Sequence, residues 1–270
     1  MIFPITKDIV TTEIHKIMIN YNPFSLKGKN ILITGASSGI GKTTAIECSK
    51  LGANIILTAR NEARLVEVFS MLDTSEGQRH SYIIADLMSP EEIDNLANKV
   101  TELDGLVNNA GIGISKPIQF IKEEELKKIF SVNTYAPVQL TQKLLKKKKL
   151  NKGASIVFTS SIGGNFTVTP GRAMYGMTKG AIHNFMKYCA LELANRKIRC
   201  NSVNPGMIET PLITSGSLSE SEIKEDIARY PLKRYGRPEE VAHAIIYLLS
   251  DASSWVTGHA LVIDGGITLK

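Results

Sequence analysis

Tyr175 and Lys179 stand four positions apart in Tyr175-Gly176-Met177-Thr178-Lys179, so on a helix they share one face, a turn from each other. An ammonium beside a phenol favours the phenolate and lowers a pKa that is ordinarily about 10. A tyrosine tuned in this way can exchange a proton with a substrate oxygen near neutral pH, work worth roughly 10²–10⁴-fold in rate. Alone, such a pair is commonly solvated helix surface, so its neighbours matter. Upstream, an apolar run from Ser155 ends in Thr159-Ser160-Ser161-Ile162-Gly163-Gly164. A hydroxyl at a strand end can donate to a carbonyl on which negative charge develops. It can equally cap the strand.

A second constellation lies near the start. Ile31-Leu32-Ile33-Thr34-Gly35-Ala36-Ser37-Ser38-Gly39-Ile40-Gly41 is a short β-branched run, a glycine turn and the opening of a segment, Lys42 to Leu51, that reads as helix. Glycines allow positive φ and leave no Cβ where a pyrophosphate must approach. The free N–H groups of a first helical turn, with the helix dipole, favour that anion. The backbone of Gly35, Ser37, Ser38, Gly39, Ile40 and Gly41 is therefore the expected phosphate cradle. A glycine pattern carries weight only in the strand–turn–helix context found here.

The elements that must position these groups follow in order. Strands are expected at Ile31–Thr34, Asn54–Ala59, Ser81–Ala85, Leu103–Val107, Ser155–Thr159, Ile198–Val203 and Ala260–Ile263. Helices are expected from Glu62, after the N-cap Ser89-Pro90-Glu91-Glu92, over about 123–149 with Pro137 inside, over 173–195 and over Pro238–Leu249. This alternation predicts an α/β fold: a Rossmann-like, doubly wound, mainly parallel seven-stranded sheet with helices on both faces, in a single domain. Residues 1–24 read as an N-terminal extension in which Ile9, Val10, Ile14, Ile17 and Met18 share a helix face. That face would pack on the domain or on a partner subunit. A membrane-surface anchor is disfavoured by its weakly basic polar side. Met18 is a second possible start. Residues 207–235 read as a polar, partly helical lid.

The bulk numbers exclude several classes. The chain has 270 residues, 43% hydrophobic, enough for one sizeable core. Its net charge of +6 is modest, and the densest basic run, Lys146 to Lys149, has no interleaved aromatics, so no nucleic-acid partner is expected. Cys48, Cys189 and Cys200 show no metal-ligand spacing, so no metal is expected. Their odd number fits a reducing cytoplasm. No apolar run reaches membrane-spanning length, and charged residues interrupt the N-terminus where a signal peptide needs an apolar core.

Taken together, the glycine turn, Asn108-Asn109-Ala110-Gly111, Asn133, the serine pair, Tyr175-x-x-x-Lys179 and Pro205-Gly206 occur in the order of the short-chain dehydrogenase/reductase family, which the chain resembles from about Leu26 to Gly266. The resemblance is to members such as 3-oxoacyl-carrier-protein reductases and tropinone reductases. It implies hydride transfer between a nicotinamide nucleotide and an alcohol or carbonyl. Tyr175 would be the acid–base. Lys179 would hold the nicotinamide ribose and depress the tyrosine. A serine would polarise the carbonyl. Asn133 would kink its helix and hold a water that relays protons to Lys179. Asn108, Ala110 and Gly111 would line the adenosine-ribose side, Asp86 and Leu87 the adenine. Pro205, Gly206, Ile208 and Thr210 would lie along the nicotinamide, Thr210 bonding its carboxamide. Of the two serines, Ser161 matches the family's Ser-x-x-Gly. It lies fourteen residues before Tyr175, one more than the commonest spacing, which implies an inserted residue in the loop Asn165 to Arg172.

The end of the second strand predicts NADP(H) over NAD(H). An acidic side chain there would accept both ribose hydroxyls and repel a 2′-phosphate. The chain has Ala59 followed by Arg60, whose forked, permanently charged group suits that phosphate, with Ser37 and Asn61 adding neutral bonds. The alternative is that Arg60 only caps the strand. The expected partners are a small-molecule or acyl-thioester substrate and further copies of the chain. A homotetramer is motivated by the family and by apolar residues such as Ile182, Phe185 and Met186 on the long helices. The lid's Ile208, Leu212, Ile213, Leu218 and Ile223 beside Arg229, Lys233 and Arg234 suit an acyl chain on an acidic carrier, and equally a free ketone with solvated charges. Competing readings are a non-catalytic nucleotide sensor or scaffold, and a lyase or isomerase of nucleotide sugars, which the lack of a large C-terminal substrate domain disfavours.

Overall fold

Ile31, Leu32 and Ile33 are fully buried in β1 (Asn30–Thr34) and point alternately into two cores. Ile31 and Ile33 pack with Cys48, Leu57, Val107 and Ile245 on one face of the sheet; Leu32 packs with Leu140, Phe158 and Met186 on the other. A strand buried on both faces reads as a continuous apolar run, which is why this stretch lacks alternation. The computed structural model describes residues 21–210 and 219–269.

The remaining strands are β2 (Asn54–Ala59), β3 (Ser81–Ile84), β4 (Leu103–Asn108), β5 (Leu150–Thr159), β6 (Arg199–Pro205) and β7 (Ala260–Ile263). They form one seven-stranded sheet in the order β3-β2-β1-β4-β5-β6-β7, and every pairing is parallel. The helices are α1 (Gly39–Lys50), α2 (Glu62–Phe69), α3 (Pro90–Lys99), α4 (Glu123–Phe130), α5 (Ala136–Lys146), the single turn α6 (Ile162–Asn165), α7 (Ala173–Glu192), α8 (Glu220–Arg229) and α9 (Pro238–Leu249). Helices α3, α5 and α7 cover one face; α1, α2 and α9 cover the other. The order reverses between β1 and β4, and the crevice beyond their carboxyl ends is where open α/β sheets bind ligands.

Three expectations change. The helix expected over 123–149 is broken into α4, a π-turn over Ser131–Tyr135, and α5. Pro137 follows the π-turn directly and has no N–H to give to the turn before it, so the change from α to π pairing falls where the helical ladder loses a donor. Strand β5 begins at Leu150 rather than Ser155: Leu103 pairs with Leu150, and an irregularity then brings Gly105 opposite Ser155. Ile182 and Met186 lie in the core, with Phe185 packed against it, so they are not the outer apolar face that motivated an oligomer. The exposed apolar residues of α7 are instead Met177, Tyr188 and Leu191.

Asp104 and Gly105, weak strand formers, have specific reasons to sit in β4. Asp104 accepts the Asn30 N–H at 2.9 Å and the Asn151 amide at 2.8 Å, stitching three strand starts together. A Cβ at Gly105 would meet Leu249 at 3.0 Å and Ile31 at 3.1 Å. At the amino end, Ala252 N donates to Pro23 O at 2.9 Å and Phe24 lies 6.4 Å from Tyr247, so the packed chain already includes Pro23 and Phe24. The amphipathic helix expected before them lies outside the described residues, as do Leu212, Ile213 and Leu218 of the expected lid. Within the lid region, α8 begins in a capping box between Ser219 and Glu222.

Candidate active site

The turn between β1 and α1 is built for close approach. Gly35 has φ +64°, and a Cβ there would stand 2.8 Å from the Ala110 Cα. A Cβ at Gly41 would overlap the Gly35 carbonyl. Helix α1 opens at Gly39 with no acidic residue in its first turn, and the Ser38 side chain makes no capping bond. Its N–H groups are thus left for an anion.

The end of β4 is tied to this turn through Thr34. The Thr34 hydroxyl accepts from the N–H groups of Asn109 at 2.9 Å and Ala110 at 3.0 Å, and the Asn109 amide donates to Thr34 O at 3.1 Å. The chain then passes Gly111 beneath two polar groups. A Cβ built there would lie 3.4 Å from Asn133 Oδ1 and 3.5 Å from Lys179 Nζ. Asn133 is buried in the π-turn. It accepts from Ile112 N at 2.8 Å and donates to Ile112 O at 2.9 Å and Thr178 Oγ1 at 3.2 Å. The π-turn thereby fixes both the loop after β4 and the middle of α7.

At the end of β5 the two serines part company. Ser160 is buried and donates from its hydroxyl to the Lys179 carbonyl at 3.1 Å, a bond that holds α7 to the strand. Ser161 caps the single turn α6, accepting from Gly163 N at 3.2 Å, with its hydroxyl on the side of Tyr175. Lys179 donates to Thr159 O at 2.7 Å, with Nζ 5.7 Å from the centre of the Tyr175 ring. Pairing continues to Thr159 opposite Val203, and Ser160 N still donates to Val203 O at 2.9 Å, so the long Ser161–Tyr175 spacing does not displace the strand end.

Glycines let α6 lie directly on α7. A Cβ at Gly164 would stand 2.9 Å from the backbone of Lys179 and Gly180; one at Gly176 would stand 2.8 Å from Gly163 O. The serine turn and the Tyr–Lys helix are thus in backbone contact. Gly164, Gly176 and Gly180 were not singled out from the sequence, although small residues four apart on α7 are a readable sign of close helix contact.

The electrostatics differ from the simple expectation. Burial is the largest influence on Tyr175 and pushes its pKa up; the nearby Ser161 hydroxyl and the Arg172 charge pull it down. The net direction is upward, opposite to the depression that the Tyr175–Lys179 spacing predicts. The same desolvation lowers Lys179 itself to about 8, because an ammonium shielded from water is disfavoured.

A family model described as enoyl-(acyl carrier protein) reductase matches residues 35–268. A 3-oxoacyl-carrier-protein reductase of Thermotoga maritima is 36% identical over 248 residues, 90% of this chain and 99% of that one. The solved structure of a short-chain type dehydrogenase/reductase from Mycobacterium ulcerans superposes with a TM-score of 0.85 at 29% identity, covering 91% of this chain and 92% of its own. A provisionally assigned NAD(P)-dependent gluconate 5-dehydrogenase from Beutenbergia cavernae, solved with NADP at low occupancy, gives 0.85 at 28% identity, covering 92% of this chain and all of its own. The chain belongs to the short-chain dehydrogenase/reductase family.

As a short-chain dehydrogenase/reductase, the protein is an oxidoreductase of the type that interconverts CH–OH and C=O with a nicotinamide cofactor. The glycine cradle and the carboxylate-free start of α1 fit the pyrophosphate of such a nucleotide. Arg60 is exposed at the end of β2, with Asn61 beside it capping α2 through the Arg64 N–H at 3.0 Å. Asp86 and Leu87 follow β3, and Asp86 accepts from Met88 N at 3.0 Å. Thr210 packs on Gly39, so the start of the lid touches the glycine turn.

Two expected cofactor residues are turned inward. The Asn108 side chain is buried and donates to Thr141 at 3.3 Å. Ile208 is buried over Gly236 in the core rather than lining a lid. Pro205 and Gly206 end β6, with Gly206 N donating to Ile263 O at 2.9 Å.

The basic rim is also engaged within the fold. Arg234 makes a forked pair with Glu240 at 2.7 and 2.6 Å, Lys233 donates to Ala228 O at 2.6 Å, and Arg229 pairs with Asp226 at 3.3 Å. Among the described residues, no helix is long and apolar enough to cross a membrane, and no cluster of His, Cys, Asp and Glu suits a metal.

Proposed function

We propose that the protein is an NADPH-dependent carbonyl reductase, working between a ketone and its secondary alcohol, with 3-oxoacyl thioesters among its candidate substrates. The observation that carries this reading is the convergence of Ser161, Tyr175 and Lys179 at the carboxyl end of β5, beside Gly111 at the end of β4. The nicotinamide, when bound, supplies the hydride. Tyr175 gives its hydroxyl proton to the carbonyl oxygen, and its raised pKa keeps that proton in place at neutral pH. Ser161, on the same side of the strand end as Tyr175, donates to the same oxygen and steadies its developing charge. Lys179 holds the ribose hydroxyls and replenishes the proton of Tyr175, while Asn133 anchors the loop at Ile112 and a relay water.

Arg60 supports the choice of NADPH: it is exposed, and among the described residues no carboxylate pairs with it. The thioester reading rests on the likeness to the Thermotoga reductase. Docking of an acidic carrier on Arg229, Lys233 and Arg234 has little support, since all three are occupied. A homotetramer in a reducing cytoplasm fits the exposed Tyr188 and Leu191 and the three free cysteines. The decisive experiment follows NADPH oxidation with a panel of ketones and 3-oxoacyl thioesters. Saturable turnover supports the reading; tight nucleotide binding without turnover of any carbonyl sinks it in favour of a sensor.

A further inference from the structure

One cation stands apart at the mouth of this site. Arg172 is exposed and lies three residues before Tyr175, at the start of α7. Its backbone is fixed on both sides: its N–H donates to Thr169 O at 3.1 Å and its carbonyl accepts from Gly176 N at 2.8 Å. The preceding residue is pinned to the opposite lip, where Lys116 N donates to Gly171 O at 2.8 Å. The guanidinium reaches over the chain that follows β4, with Nη1 3.5 Å from where a Cβ on Gly113 would stand. The other cation of this lip, Lys116, is neutralised by Glu125 at 2.6 Å. Among the described residues no carboxylate pairs with Arg172 and its side chain donates to no protein group.

A forked, permanently charged donor left unpaired beside an acid–base tyrosine is suited to an anionic oxygen pair. We infer that Arg172 is a specificity-determining residue that selects carbonyl substrates carrying a carboxylate or phosphate close to the reacting carbon. This inference rests on the carbonyl-reductase reading and narrows its substrate class. The Arg172 charge also favours the ionised form of Tyr175. An anionic substrate group would partly cancel that charge, so the proton would stay on Tyr175 until reduction begins.

The test compares matched pairs with NADPH: 3-oxobutanoate and 4-oxopentanoate, each against its ethyl ester, and dihydroxyacetone phosphate against dihydroxyacetone. The wild type should prefer the anion in at least one pair. The pair in which it does separates carboxylate from phosphate. In Arg172→Gln the anion-to-neutral ratio of kcat/KM should fall about ten- to a hundredfold, chiefly through KM, as loss of a charge-assisted bond predicts. Arg172→Lys should retain much of the ratio, which separates charge from folding. High salt should erode the wild-type preference, because the pair forms at a solvent-exposed lip. Equal handling of charged and neutral partners in every pair, or a glutamine variant that lowers both alike, overturns the assignment of Arg172 while leaving the reductase intact. Failure to reduce any member, neutral ones included, overturns the reductase reading and this inference with it.

Discussion

Lys179 donates from Nζ to the carbonyl of Thr159 at 2.7 Å. The bond joins the helix that carries Tyr175 to the strand end that carries Ser161, and it is made by a side chain only 5% exposed. Lys179 therefore both positions the site and carries a buried charge.

That charge predicts a pH dependence of stability. Burial lowers the Lys179 pKa from 10.5 to about 8, so between those values the unfolded chain binds more protons than the folded one. Stability must then rise with pH across that window, and below about pH 8 the full cost of the buried ammonium is felt. The relief amounts to about 3 kcal/mol. Thermal melts of wild type and Lys179→Met without nucleotide, from pH 7 to 10, should show the wild type gaining on the variant as pH rises. Parallel curves would mean that Lys179 is not buried as a cation.

Tyr175→Phe should lower kcat by about 10²-fold or more while leaving NADPH affinity nearly intact, because the ring still packs and only the proton is lost. Retention of more than about a tenth of wild-type turnover contradicts the acid–base role. Lys179→Ala should damage affinity and rate together.

The two serines should separate cleanly. Ser161→Ala should cost about 10²–10³-fold in kcat. Ser160→Ala removes the bond to the Lys179 carbonyl and should cost about 1 kcal/mol of stability with most turnover kept. The reverse pattern would exchange their assignments.

Gly164→Ala forces a methyl group to within 2.9 Å of the Lys179–Gly180 backbone. Separating α6 from α7 should cost about 1–3 kcal/mol. It should also lower kcat more than nucleotide affinity, because Ser161 moves away from Tyr175. An alanine variant with unchanged stability and rate would show that the two helices are not in register-critical contact.

Wild type should use NADPH about ten- to a hundredfold better than NADH, the worth of one charge-assisted bond to the 2′-phosphate. The double variant Ala59→Asp/Arg60→Ala should move kcat/KM toward NADH. Equal efficiency in the wild type, or no shift in the variant, counts against Arg60.

Local chemistry was readable from the chain alone. The buried run Ile31-Leu32-Ile33 with its glycines, the Ser89 cap, and the Tyr175–Lys179 spacing each depend on residues within a few positions of one another, so backbone period and propensity determine them. The alternation of apolar runs with helical stretches was enough to predict a parallel sheet of seven strands. What tertiary structure alone decided involves partners distant in sequence. The family pattern already favours Ser161 over Ser160; what the packing of α6 on α7 adds is the role of Ser160, whose hydroxyl holds the helix backbone at Lys179. Gly236 gave Ile208 a place in the core, and Glu240 and Asp226 paired with Arg234 and Arg229 of a basic rim that looked available. The helix spacing alone predicts a Tyr175 depressed by Lys179; burial, which only the fold supplies, is instead the largest influence on both groups, raising Tyr175 and lowering Lys179.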